Sequence, residues 1–147
     1  MKWYNHLWEC LQTLLGCIVL LFLREITDEG LYKGRRVIRF KKGKFFSGTS
    51  LGYWILIPKN ASDIVKAHEW GHCMQSGVWG LLYLFVIGIP SLRNNLKART
   101  CKRTNENYYK LYPENDADDR GGVIWVNGVR VLNPLRSNAQ KNTLKHA

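Results

Sequence analysis

The string His68-Glu69-Trp70-Gly71-His72 constrains this chain more than any other feature. Side chains four residues apart share one face of an α-helix, so on a helix both imidazoles can reach one divalent ion. Glu69 then lies on the adjoining edge, where its carboxylate can take a proton from zinc-bound water and pass it to a leaving amine. Zinc draws the pKa of that water toward neutrality and so supplies a nucleophile at physiological pH. The string therefore demands a helix, and its neighbours agree. Ser62 or Asp63 suits a helix start, Ile64, Val65, Ala67 and Met74 belong to its body, and Gly77 can end it. Cys73 lies about 100° around the helix axis from His72, which points to packing rather than ligation.

A catalytic zinc needs a third protein ligand and an open fourth position. His6 and His146 lie near the two ends of the chain and are poor candidates. Glu114-Asn115-Asp116-Ala117-Asp118 is better, because Glu114 and Asp118 also stand four apart. One carboxylate can bind the ion while the other accepts the second ring N–H of a ligating histidine, which sets its tautomer. Asp116 and Asp119 compete as ligands, but acids in a first helical turn are ordinarily a solvated face.

Leu7 to Leu23 reads LWECLQTLLGCIVLLFL, seventeen residues, the lower limit for a helix that crosses a bilayer. Trp3, Tyr4 and Trp8 resemble an interfacial aromatic belt, and Glu9 stands near the outer end, within reach of headgroups. Lys2 alone precedes the run, whereas Arg24, Lys33, Arg35, Arg36, Arg39, Lys41, Lys42 and Lys44 follow it. The expectation is a transmembrane anchor over residues 1–24, a single-pass membrane location, and the catalytic domain on the cytoplasmic side. A second apolar run, Val78 to Ile89 closed by Pro90, is too short to span and reads as a core, in-plane or re-entrant helix.

At 147 residues the chain has room for one domain, expected over 25–132, with a basic, disordered tail over 133–147. Val37-Ile38-Arg39-Phe40 and Gly52 to Ile57 read as short strands, with Lys41 to Lys44 as a turn. Tyr112 to Gly122 reads as a short helix, with Pro113 at its first position and the glycines at its end. Asn127-Gly128 between Val123–Val126 and Val129–Leu132 is a strong hairpin signal. The fold class expected is therefore α+β, with a zincin-like active-site helix, a few short strands and a C-terminal β-hairpin behind the anchor. The four cysteines form no CxxC pair, which disfavours a four-thiolate zinc site. A formal net charge of +11 calls for an anionic neighbour. The basic residues flank apolar runs, and no nucleic-acid signature is present, so membrane lipid is the expected partner and nucleic acid is not.

HExxH followed by ExxxD resembles the gluzincin metallopeptidases. The longer strings from His68 to Ser76 and from Glu114 to Val123 also look like those of small, uncharacterised bacterial proteins with a metallopeptidase-type site. The resemblance covers about Ala67 to Val123 and implies His68, His72 and Glu114 as zinc ligands, Glu69 as general base and Asp118 as the partner of His68. It implies a zinc metallopeptidase acting on a peptide or protein substrate. The competing reading is a non-enzymatic basic protein that binds a membrane surface or nucleic acid, in which HExxH is coincidental or a structural metal site.

Overall fold

A computed structural model describes residues 8–41, 48–100 and 105–135. The chain is α+β. Its four-stranded sheet contains β1 (Thr27–Tyr32), β2 (Arg35–Phe40), β3 (Thr49–Leu51) and β4 (Trp54–Pro58). The order across the sheet is β1-β2-β4-β3. β2 and β4 pair in parallel, while β1 and β3 run antiparallel on the outside. The turn expected at Lys41 to Lys44 falls mostly outside the described residues. It does not join β2 directly to β4, since β3 intervenes. β1 escaped the sequence reading because TDEGLY has no run of β-branched residues. Its pairing is reinforced by Asp28 with Arg36 and by Glu29 with Arg39.

Alternation along the strands builds a core on each face of the sheet. Val37, Ile55 and Ile57 face one way and bury Cys73, with Val65 and Trp70 packed alongside. Ile38, Phe40 and Leu56 face the other way, against Val19, Leu20 and Leu23. The first layer comes from α2 (Asp63–Trp79), the second from α1 (Cys10–Phe22). Ser62 precedes α2 as expected, but Gly77 does not stop it. The helix runs on to Trp79 and ends at Gly80, which adopts φ 51°.

The expected transmembrane helix is corrected here. α1 has 13 residues, about 20 Å at 1.5 Å per residue, against a hydrocarbon core of about 30 Å. Among the described residues no helix is long and apolar enough to cross a membrane. The single-pass location is overturned with it, and so is the cytoplasmic orientation derived from that span. The chemical reason lies at Glu9. Instead of reaching headgroups it is 1% exposed, and Arg35 grips both its oxygens at 2.7 and 3.0 Å. Gln12 donates to Ser76 Oγ and Gly80 O, and Thr13 Oγ1 accepts from the Tyr53 N–H. These bonds hold α1 flat on the domain. At Leu23 the chain turns extended, and Arg24 O accepts from the Lys41 N–H as the sheet begins. Trp3 and Tyr4 of the expected aromatic belt lie outside the described residues.

The second apolar run is neither one helix nor closed by its proline. It forms a 3₁₀ turn (Gly80–Leu82) and a π-helical turn (Leu84–Gly88), then enters α3 (Ile89–Thr100), with Pro90 in the first turn. A short α4 (Asn105–Tyr109) leads to α5 (Glu114–Gly121), which Gly122 ends in the left-handed conformation. β5 (Val123–Val126) and β6 (Val129–Leu132) then pair across Asn127-Gly128, both at positive φ, the hairpin read from sequence. Most of the expected disordered tail lies outside the described residues.

Candidate metal centre

α2 and α5 cross at unusually close range. A Cβ on Gly71 would lie 1.9 Å from the Ala117 carbonyl oxygen, and one on Gly121 would lie 2.3 Å from that of Ala67. Only glycine permits this approach from both sides, and it brings the face of α2 carrying His68 and His72 onto the face of α5 carrying Glu114 and Asp118.

All four of these side chains are buried. Glu114 Oε2 lies 3.2 Å from His68 Nε2 and 3.4 Å from His72 Nε2, and the three ligand atoms fall within 4.8 Å of one another. The outer nitrogens are committed elsewhere. His68 Nδ1 stands 2.7 Å from Asp118 Oδ1, and His72 Nδ1 stands 2.7 Å from Gln75 Oε1. Since neither oxygen can donate, both Nδ1 atoms carry the proton. Each Nε2 therefore turns a lone pair toward a carboxylate, an arrangement that only a cation resolves: a proton or a metal ion.

The donor set fits zinc. Two imidazole nitrogens and one carboxylate oxygen are a catalytic-type set, and tetrahedral bonds of about 2.0–2.1 Å place ligand atoms about 3.3 Å apart. The two nitrogen–oxygen separations already bracket that value. Without metal, a proton fills the gap. Burial pulls the His68 imidazole down, but Asp118 and Glu114 outweigh it and raise its pKa to about 9. Burial opposes ionisation of Glu114, yet the facing histidines hold its carboxyl well below the usual range.

Glu69 lies beside the cluster, and its Oε2 is buried with no protein partner. Burial raises its pKa, against the charges of His68 and His72. It lines a cavity of about 320 Å³ together with the three ligand candidates. The cavity wall also includes Thr49, Ser50 and Leu51 of β3, the outer strand of the sheet. Leu84 and Leu92 supply apolar lining.

Three contributors escaped the sequence reading. Gln75 orients His72 and is itself held by Pro113 O and Asp116 Oδ2 at 2.9 and 2.8 Å. Its signal was local, since it stands three residues after His72 on the same helix. This also gives Asp116 a place: it grips Gln75 and Arg120 rather than the cluster. Ser91 Oγ donates to Glu114 Oε1 at 2.5 Å. Arg130, from the hairpin, binds both oxygens of Asp118 and lies 3.5 Å over the Tyr109 ring, which meets His68 edge-on. Ser91 and Arg130 had no sequence signal, because they arrive from distant elements. Cys73 is buried in the core on the other side of α2, as its helical angle predicts.

Compared with models of protein families, with curated proteins and with solved structures, the chain matches none. The site therefore stands on its own geometry.

Proposed function

We propose that this protein is a zinc metallopeptidase of the gluzincin type, with His68, His72 and Glu114 as ligands and Glu69 as general base. One observation carries the reading. Three ligand atoms converge on a space that needs a cation, and beside it the Glu69 carboxylate has an oxygen without a protein partner. A structural zinc site closes its fourth position with protein and has no use for a buried, unsatisfied glutamate.

Bound zinc would lower the pKa of water and polarise a carbonyl oxygen. The remaining chemistry belongs to the chain. Asp118 and Gln75 fix the tautomers of His68 and His72, so that each keeps Nε2 as its lone-pair atom. Ser91 holds the second oxygen of Glu114. Glu69, made more basic by burial, accepts a proton and returns it to the leaving amine. A peptide suits the cavity because β3 is an outer strand along its wall, and an extended backbone can align with such an edge.

Glu69→Gln tests the mechanism. The variant should keep about one zinc per chain and lose peptide hydrolysis by roughly a hundredfold or more, the usual scale for a general base. Wild-type turnover by Glu69→Gln would refute the assignment. Absence of zinc from wild type purified without chelator would refute the site.

A further inference from the structure

We propose that α1 and the segment from Val78 to Leu96 form a face that seats on an anionic phospholipid surface, in the plane of the bilayer and without crossing it.

The polarity of α1 is inverted for water. Its inward side begins with Glu9, Gln12, Thr13 and Gly16, all engaged with the domain. Its outward side carries Leu11, Leu14, Leu15, Ile18, Leu21 and Phe22, the last two 82% and 80% exposed. These positions follow the three- and four-residue spacing of one helical stripe. The later segment repeats the pattern. Tyr83 and Ile87 are buried, while Val78, Leu81, Leu82, Phe85 and Ile89 face outward. The two stripes belong to neighbouring elements. Gln12 donates to Gly80 O, and the Trp8 indole packs so tightly on Gly80 that a Cβ there would lie 2.1 Å away. Large apolar side chains left exposed in this number on two neighbouring elements mark an interaction site.

Charge selects the occupant. Arg24 lies two residues beyond Phe22, and Arg93 and Lys97 adjoin Leu92 and Leu96; all three cations are exposed. Basic residues at the border of an apolar face match anionic headgroups above an acyl layer. A second copy matches poorly, because each chain carries a formal net charge of +11 and two such copies repel. The length of α1, short of a bilayer core, fits a helix lying in the interface.

The test is flotation of the full chain with vesicles. One set contains equal parts phosphatidylglycerol and phosphatidylcholine, the other phosphatidylcholine alone. The wild type should float with the anionic set, more weakly with the neutral set, and less as salt is raised. The double variant Leu21→Asp, Phe22→Asp should lose binding by at least about tenfold, given the apolar area withdrawn from the acyl layer. Both side chains are exposed, so folding is not at stake. Leu31→Asp, which removes an exposed leucine from β1, should bind like wild type. Failure of the wild type to float, or equal flotation of the double variant, would overturn the proposal. So would a concentration-dependent dimer, dissolved by the double variant, in a chain that ignores vesicles.

Discussion

Gly71→Ala is the sharpest perturbation of the candidate metal centre, although the residue is not among the proposed ligands. Its Cβ would stand 1.9 Å from Ala117 O, 2.7 Å from the carbonyl carbon and 3.0 Å from the Cα, all of them backbone atoms that cannot swing aside. Restoring a tolerable contact requires α2 and α5 to part by about 1 Å, and overpacking of this kind costs about 1–3 kcal/mol. The displacement does not stay local. Ala117 adjoins Asp118 and lies one turn from Glu114, so α5 would carry both carboxylates away from the histidines. Metal bonds tolerate errors of only about 0.2 Å, so a shift of 1 Å should lower zinc affinity by about 10–100-fold or more. Urea unfolding of the metal-free protein measures the first effect, and competition with a chromogenic chelator measures the second. Gly77→Ala is the control. It lies on the same helix, and the nearest atom to its Cβ would be Glu9 Oε1 at 3.9 Å. There the methyl should stabilise by about 0.5–1 kcal/mol through helix propensity. If Gly71→Ala unfolds within about 0.5 kcal/mol of wild type and holds zinc as tightly, the close crossing does not position the site.

Glu9→Ala should destabilise the chain by about 3–5 kcal/mol, because it strands the buried Arg35 guanidinium, and calorimetry would register this as a fall in Tm. A change below about 1 kcal/mol would mean that Glu9 is solvated and α1 undocked. The metal-free protein should also lose stability as pH rises. His68 binds its proton more tightly folded, at about 9, than unfolded, near 6.5. Its contribution is thus complete below pH 6.5 and fades as pH passes through about 9, by on the order of 3 kcal/mol. Zinc held by the proposed ligands would replace that proton, so the zinc-loaded protein should show a shallower decline, and identical profiles with and without metal would refute this account.

The elements legible in the sequence were those whose signals are local. The helix of His68 and His72 and the Asn127-Gly128 hairpin each follow from a few neighbouring residues. The pairing of Glu114 with Asp118 on one face needed only helical periodicity. The N-terminal run was misread for a corresponding reason. Hydropathy along Leu7 to Leu23 is the same whether the segment crosses a bilayer or lies across a sheet. What separates the two is Arg35, which meets Glu9 only after the strands have formed.

The sequence by itself determined the chemistry at hand: two imidazoles one turn apart, a glutamate beside them, and a second acidic helix to face them. Only the tertiary structure decided how these act together. It set the α2–α5 distance through Gly71 and Gly121, gave His72 its Gln75, brought Arg130 from the hairpin to Asp118, and turned the leucines of α1 outward. Each of those outcomes depends on where a distant backbone atom or charge comes to rest, and no local pattern of side chains encodes that.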